Sequence, residues 1–228
     1  RQAGHRVTET FPGIVPLLTK ESWPGECRAD TIPRATLQIR GRGRRGLRAR
    51  GDLIFTEHGL AGPLILDAAR EITPLLAGGN SVCATLQLSD GDEEAWRTRL
   101  SAAGQREPVR RWLGKWVADS LAGVFCRLAG VSTDREVSSL GQRDQHRLAA
   151  LLAQTPVTIV ASEGWDKAMV TRGGISLKEV APDSLASRLM PGLFLAGEAL
   201  DLDGPCGGFN LQWAFASGAL AGAAAANL

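Results

Sequence analysis

The sequence predicts a mixed α/β (α+β) fold, because strand-like and helix-like patterns occupy different stretches of the chain. Short alternating apolar runs fill residues 11–89, whereas apolar residues recur at helical spacing between 90 and 154. Near the end of the sequence, Gly207 and Gly208 precede a long run of small or apolar residues. A helix that is apolar on all sides is usually buried, so we expect this last helix in the protein interior.

The first elements are predicted to be strands. Residues 1–10 read as the end of one unit, and the sequence Phe11, Pro12, Gly13 predicts a turn after it. Residues 14–18 then predict the first strand of a β-rich module. Alternation predicts further strands at 35–39, 53–55, 81–88 and 157–161, and Pro63 predicts the first turn of a short helix between them.

Three helices are predicted for residues 90–154. The first has acidic residues in its first turn, Glu93 and Glu94, which favour a helix N-terminus. The second starts at Pro108, and the third spans residues 142–154. The predicted buried face of the second helix comprises Val109, Leu113, Trp116, Val117, Leu121, Val124 and Leu128.

The late segment is typical of a cofactor site. Residues 193–196 predict a buried strand that ends at a glycine, and three carboxylates follow it: Glu198, Asp201 and Asp203. The glycine pair that opens the last helix would let a ligand approach the backbone. The start of that helix offers free N–H groups and a positive dipole end to an anionic group.

Three segments closely resemble a family of bacterial flavoproteins: GLFLAGEALDLDGPCGGFNLQWAFASG, VTRGGISLKEV and GDLIFTEHGLAGP. The family is described as predicted flavoproteins, aminoacetone-oxidase-like or BaiN-like NAD(P)/FAD-dependent oxidoreductases. The resemblance implies a glutathione-reductase-type FAD domain that is interrupted by a β-barrel-like domain, itself interrupted by a helical one. It assigns residues 1–10 and 169–228 to the FAD domain, residues 11–89 and 155–168 to the β-rich module, and residues 90–154 to the helical insert.

The resemblance also implies which residues bind FAD. Glu198 would accept hydrogen bonds from the ribityl hydroxyls, and the first residues of the last helix would place backbone N–H groups against the flavin pyrimidine edge. Negative charge develops at that edge on reduction, so a helix N-terminus favours the reduced flavin. The complete candidate set is Thr171, Gly173, Gly174, Gly197, Glu198, Asp201, Gly207, Gly208, Phe209, Asn210 and Gln212. No catalytic acid or base is identified.

Several of these residues have a structural alternative. Gly173 and Gly174 could form a hairpin turn, and the loop carboxylates Asp201 and Asp203 could serve loop structure alone. Gln212 could make a buried polar contact within the helix. Cys206 precedes the glycine pair, but no second cysteine is suitably spaced, so we expect a small loop residue rather than a redox thiol.

Residues 41–46 match G-x-G-x-x-G, yet no helical apolar stripe follows them. The dinucleotide fingerprint requires a helix at that point, so a basic hairpin loop is predicted instead. The family's true fingerprint precedes anything present here, which leaves the ADP-binding half of the FAD site outside this chain. The arginines between Arg40 and Arg50 would suit a phosphorylated substrate or NAD(P)H, but a solvated loop is the default expectation.

Composition excludes several broad classes of protein. The net charge of +2, together with the lack of aromatic residues among the loop arginines, argues against a nucleic-acid partner. The last helix is too rich in alanine and glycine for a membrane span. Four cysteines without C-x-x-C spacing predict free thiols in a reducing cytoplasm, and three scattered histidines give no metal-ligand spacing. Because the chain begins at Arg1 rather than Met, we expect a piece of a longer protein.

Together these observations predict the C-terminal part of an FAD-dependent oxidoreductase. It would transfer hydride or electrons between the flavin and a small organic substrate or NAD(P)H. Its expected partners are that small molecule and an N-terminal FAD-binding half. The alternative hypothesis is a non-catalytic fragment or interaction module that does not hold FAD by itself.

Overall fold

The computed structural model describes residues 2–40, 46–104 and 106–227, which cluster into two compact units. Unit 1 comprises Arg1–Pro16, Leu66–Ala77 and Ser162–Leu228, and unit 2 comprises Leu17–Ile65 and Gly78–Ala161. Residues 66–77 therefore cluster with unit 1, whereas the sequence places them in the β-rich module.

Strands and helices both contribute, which confirms the mixed α/β fold class. The strands are β1 (Val7–Gly13), β2 (Leu17–Thr19), β3 (Thr31–Ile39), β4 (Leu47–Phe55), β5 (Gly59–Ala61), β6 (Val82–Gln87), β7 (Thr155–Ser162) and β8 (Val170–Ile175). The helices are α1 (Trp23–Glu26), α2 (Pro63–Ile72), α3 (Glu93–Ser101), α4 (Val109–Leu113), α5 (Asp119–Ala129), α6 (Gln142–Ala153) and α7 (Phe209–Ala225). Short 3-10 turns span Thr73–Gly79, Val137–Ser139, Leu177–Glu179 and Gly197–Ala199.

Unit 2 contains a closed six-stranded barrel in the order β2-β5-β4-β3-β6-β7. Ala35, Leu37 and Ile39 of β3 point into its core, and the residues between them face outward. This alternation is the period of two that a half-buried strand requires. The strands predicted near 35–39, 53–55, 81–88 and 157–161 are confirmed, and so are the barrel and the helix that starts at Pro63.

The helical insert of unit 2 starts at α3, where Asp92 caps the helix by accepting the Ala95 N–H at 2.8 Å. The predicted first and third helices are confirmed as α3 and α6. The prediction of one long second helix is wrong, because the chain breaks after α4 at Gly114, a residue that disfavours helix interiors. Trp116 lies in the turn between α4 and α5, and Trp116 and Leu128 are 50% and 40% exposed instead of buried.

Unit 1 contains a two-stranded antiparallel sheet of β1 and β8, in which Val7 pairs with Ile175 and Gly13 with Val170. The predicted turn at residues 11–13 is wrong because these residues continue β1. The predicted strand at 14–18 is also wrong, since Ile14 has a φ of +47° and β2 begins only at Leu17. Both errors arise because the partner of β1 lies more than 150 residues away, where no local pattern reveals it.

One apolar cluster of unit 1 is formed by the buried residues Val180, Leu185, Leu200 and Ala221. The predicted strand at 193–196 is wrong: this stretch lies partly buried against the cluster and makes an isolated bridge from Phe194 to Ala186. Its backbone groups bond to irregular segments: the Leu193 carbonyl accepts the Ser187 N–H, and the Leu195 N–H donates to the Leu185 carbonyl.

Helix α7 is largely exposed, so the prediction of a helix buried on all sides is wrong. Only Ser217 and Ala221 are buried, and Trp213 is partly buried one turn earlier. These residues are four apart and lie on one stripe of the helix. The apolar residues exposed elsewhere on the helix are Phe209, Leu211, Phe215 and Leu220.

The predicted basic loop at 41–45 lies outside the described residues and stays a prediction. The strands on either side of it, β3 and β4, pair as an antiparallel hairpin in which Ile39 faces Leu47. All four cysteines are free thiols, as predicted. Within the described ranges, no helix has both the length and the apolarity needed to cross a bilayer.

Candidate functional site

All the predicted site residues lie in unit 1. They come from β8, from the 3-10 turn Gly197–Ala199, from the loop at 200–208 and from the first turn of α7. Helix α2 contributes further residues through its part in unit 1. The site is therefore assembled from segments that are distant in sequence.

The turn at Gly197 is anchored to α7 by two hydrogen bonds. The N–H of Gly197 donates to Ser217 Oγ at 2.8 Å, and Trp213 Nε1 donates to the Gly197 carbonyl at 3.1 Å. Gly197 is buried with a φ of +64°, a conformation that glycine adopts without strain. The exposed carboxylate of the next residue, Glu198, accepts the Thr171 N–H at 2.7 Å. Glu198 is thus held at a fixed place with one oxygen engaged.

Gly173 and Gly174 lie within β8 and are buried, so the alternative of a hairpin turn is wrong. A Cβ atom on Gly173 would lie 2.2 Å from the carbonyl oxygen of Glu9. A Cβ atom on Gly174 would lie 2.8 Å from the carbonyl oxygen of Ala199. The pair therefore permits close backbone packing between β1, β8 and the turn that carries Glu198.

The two later carboxylates of the loop are engaged in structural contacts. Asp201 accepts the Thr8 hydroxyl at 2.8 Å. Asp203 Oδ2 lies 3.1 Å from Arg70 Nε, but neither atom has an aligned hydrogen bond, so the contact is an ion pair. Arg70 Nη2 also donates to the Asp203 carbonyl at 3.0 Å, and Arg172 Nη1 lies 3.9 Å from Asp203 Oδ1. These contacts tie the acidic loop to α2 and to the strands.

The start of α7 is open. Gly207 and Gly208 have φ values of +120° and +84°, both are exposed, and a Cβ atom on Gly208 would meet nothing within 4 Å. Among the residues that the structure describes, no side-chain hydrogen bond caps the helix. The side chain of Asn210 is turned back onto the loop, where it accepts the Gly204 N–H at 2.8 Å and donates to its carbonyl at 2.9 Å. The first turn therefore presents backbone N–H groups to open space.

Phe209 and Gln212 are both exposed on this first turn. The N–H of Gln212 donates to the Gly208 carbonyl at 2.9 Å and closes the turn. The alternative of a buried polar contact for Gln212 is wrong because its side chain is on the surface. Phe209 is exposed beside the open glycine pair.

Cys206 belongs to the loop at 200–208, and its N–H donates to Asp67 Oδ1 at 2.6 Å. Desolvation raises the pKa of the Cys206 thiol to about 11, and the hydrogen bond and charge of Asp67 act in the same direction. A thiol with such a pKa is protonated at neutral pH and reacts slowly. This agrees with the prediction of a loop residue rather than a redox thiol.

Sequence reasoning missed the supporting residues Asp67, Arg70, Trp213 and Ser217. Asp67 and Arg70 are three apart on α2, opposite its apolar residues, and so mark a polar face. Trp213 and Ser217 are four residues apart in a helix of small residues. This spacing could have indicated which side of α7 packs against the rest of unit 1. Asp67 and Arg70 contact the loop at 200–208, and Trp213 and Ser217 contact the turn at Gly197 just before it. Because α2 and α7 are far apart in sequence, no local pattern indicates that both helices support this region.

Comparison with known proteins gives consistent matches. The profile of the family described as HI0933-like protein Rossmann domain matches residues 1–224. The chain is 31% identical over 242 residues to the 3-dehydro-bile acid delta(4,6)-reductase of Clostridium scindens, an alignment that covers 99% of the chain and 56% of that protein.

Two further relatives are ribosomal RNA dihydrouridine synthases. The protein from Escherichia coli is 32% identical over 168 residues, which covers 74% of the chain and 40% of that protein. The protein from Haemophilus influenzae is 27% identical over 168 residues, which covers 72% of the chain and 40% of that protein. The chain thus spans about half the length of the curated relatives that it matches.

Proposed function

Since the chain belongs to the HI0933-like family of flavoproteins, we propose that it is part of an oxidoreductase that binds FAD. Family membership confirms the resemblance found in the sequence. The proposal includes a glutathione-reductase-type FAD domain formed by unit 1 together with an N-terminal FAD-binding half. The barrel and helices of unit 2 form the inserted domains in this proposal.

The observation that carries the proposal is the open, uncapped start of α7. An electron-rich ring edge needs hydrogen-bond donors and a positive potential, and both are available at a helix N-terminus. A side chain on Gly208 would occupy the space that such a ring needs, whereas a glycine leaves that space free. The residues present therefore fit a flavin at this place.

The predicted residues take distinct parts in this proposal. The backbone of Gly207, Gly208 and Phe209 would hold the flavin edge. The free oxygen of Glu198 would accept from a ribityl hydroxyl, and the Thr171 N–H fixes the carboxylate for that purpose. The other residues act by shape or by support: Gly173, Gly174, Gly197, Asp201, Asn210 and Gln212.

The names of the relatives indicate a common type of reaction. A delta(4,6) bile acid with a 3-keto group has C=C bonds conjugated to a carbonyl, and uridine has a C=C bond conjugated to a carbonyl of its base. We propose that this chain takes part in the reduction of such a C=C bond, in either a small enone or a uridine base. When bound and reduced by two electrons, the flavin would supply a hydride to one carbon of the bond, and the other carbon would take up a proton from water. NAD(P)H is the proposed source of the electrons.

Co-expression tests the proposal. The chain is produced together with the N-terminal FAD-binding half of a relative, and the purified complex is examined for flavin absorbance. We expect a yellow complex that oxidises NADPH in the presence of a conjugated enone. A folded but colourless complex would contradict the proposal.

A second candidate function is supported by the exposed apolar side chains of α7. Phe209, Leu211 and Phe215 are 59%, 66% and 74% exposed, and exposed apolar side chains of this size are typical of a surface that binds a partner. The chain alone would then be an interaction module without flavin. Light scattering and flavin analysis of the isolated chain separate the two hypotheses. A self-associating protein that stays free of flavin, even with the N-terminal half present, favours the second.

A further inference from the structure

The outer face of the barrel in unit 2 carries two rows of polar side chains across three strands. The pairing of β4, β3 and β6 aligns one residue from each strand in each row. The first row is Arg50, Thr36 and Gln87, and the second is Arg48, Gln38 and Thr85. These six side chains all carry hydrogen-bond donors, and none of them is a carboxylate.

This polar face is the floor of a groove with a volume of about 670 Å³. A second hollow of about 240 Å³ shares Thr36, Arg48 and Gln87 with it and extends the groove towards Gln154. Arg34 and Trp116 line the first hollow. The two hollows share lining residues on three adjacent strands, so together they run across the sheet.

The arginines of the groove have no carboxylate partners among the described residues. Arg50 Nε donates to the Arg34 carbonyl at 3.2 Å, which leaves the rest of its guanidinium free. Arg48 and Arg50 are exposed and two residues apart on β4, so their side chains lie on the same side, about 7 Å apart along the strand. The acidic residue that lines the groove is Asp90, at its rim. The floor thus has an excess of positive charge that would attract phosphates.

An exposed tryptophan stands at the same groove. Trp116 is half-exposed, and its ring centroid lies 5.8 Å from that of Trp96 in an edge contact and 6.5 Å from that of Trp112 in a tilted one. The guanidinium of Arg99 lies 4.7 Å from its ring centroid. A rigid, half-exposed indole is a platform on which a base can stack. No aromatic residue lies between Arg40 and Arg50 in the sequence, but the fold places Trp116 in the same groove as Arg48 and Arg50.

We propose that this groove binds a single-stranded segment of RNA, with phosphates on Arg48 and Arg50 and a base on Trp116. The inference rests on the proposed reductase function and selects the uridine base in RNA as its substrate class. The exposed arginines of the floor suit the phosphates of a nucleic-acid strand, whereas a small apolar enone carries no phosphate. Arginines with a stacking platform are the combination that binds single strands without requiring a particular sequence.

The test is the anisotropy of a fluorescent oligouridine of about a dozen nucleotides, titrated with the full chain between about 50 and 200 mM salt. The variant Arg48→Gln/Arg50→Gln removes two charges from the groove. Its matched control is Arg97→Gln/Arg143→Gln, which removes two exposed charges from the helical insert outside the groove. A third variant, Trp116→Leu, removes the stacking platform but no charge. Circular dichroism verifies that each variant is folded.

We expect the groove variant to bind about tenfold more weakly or worse, and the slope of log K against log salt to fall by about 1.4, because each lost phosphate contact removes about 0.7. The control should keep both the affinity and the slope within about twofold. Trp116→Leu should weaken binding about fivefold or more with the slope unchanged, because stacking involves no counterion.

Equal losses in the groove variant and the control would overturn the proposal. Binding of NADPH at this groove in place of the oligouridine would overturn it too. If the chain does not bind oligouridine but the reconstituted enzyme reduces an enone, the RNA-binding groove is contradicted and the reductase function is not. Binding that depends on the groove, in a chain that never acquires flavin, contradicts the reductase function and supports the groove.

Discussion

Replacing Gly173 with alanine tests how the strands that support the site are held together. Gly173 has a φ of +95°, and its new Cβ atom would lie 2.2 Å from the Glu9 carbonyl oxygen. The backbone conformation alone costs alanine about 1–2 kcal/mol. Relieving the clash requires β1 to move by about 1 Å, and losing two neighbouring ladder hydrogen bonds adds about 1 kcal/mol each. We therefore expect a loss of about 3–4 kcal/mol in the free energy of unfolding of unit 1.

The matched control is Gly192→Ala. Gly192 has a similar φ of +76°, but a Cβ atom there would meet nothing within 4 Å, so only the conformational cost of about 1–2 kcal/mol applies. Urea unfolding measures the stability of both variants, and hydrogen–deuterium exchange of Val7–Gly13 and Val170–Ile175 locates the change. If Gly173→Ala loses no more stability than the control, or if exchange in β1 and β8 is unchanged, the reasoning is refuted.

Three further predictions follow from single contacts. Ser217→Ala removes the hydroxyl that accepts the buried N–H of Gly197, which then has no partner. We expect the free energy of unfolding in urea to fall by about 1–3 kcal/mol. The hydrogen bonds from Arg110 hold the pKa of Asp119 below its usual range, so Arg110→Gln should raise that pKa in an NMR titration. The stability due to this pair is present above the unfolded pKa of about 3.9 and is lost as the pH falls through the lower folded value. Because Asp67 helps to raise the pKa of Cys206, Asp67→Asn should speed its alkylation by iodoacetamide at pH about 8, as followed by mass spectrometry.

Each of these predictions has an outcome that contradicts it. Unchanged stability of the serine variant would mean that the buried N–H finds another partner. An aspartate pKa that does not respond to loss of the guanidinium would show that the ion pair is absent in solution. Alkylation of the cysteine that stays equally slow in the asparagine variant would leave desolvation as the sole cause of its high pKa.

The barrel was predictable because its strands carry their own signal. Leu37 and its neighbours alternate between core and solvent, and a period of two needs no knowledge of the partner strand. The cap of α3 at Asp92 is equally local. By contrast, the pairing of Gly13 with Val170 joins distant segments, and the sequence around Gly13 reads as a turn.

The exposure of α7 was not predictable from its composition. A helix that is apolar all round gives no indication of which face is in contact, and only the spacing of Trp213, Ser217 and Ala221 marks the stripe that packs. The supports Asp67 and Arg70 were hidden for a related reason, since nothing local connects α2 with the late loop. The position of Trp116 beside Arg48 likewise depends on how the insert folds.

The flavin content of the reconstituted complex tests the central claim most directly, using Gly208→Asn and Gly192→Asn as a matched pair. Asparagine tolerates a positive φ, and both positions have open space for its side chain, so both variants should fold. If the start of α7 holds the flavin, Gly192→Asn keeps the flavin of the unsubstituted complex and Gly208→Asn loses most of it. Equal flavin in the two variants would contradict the account.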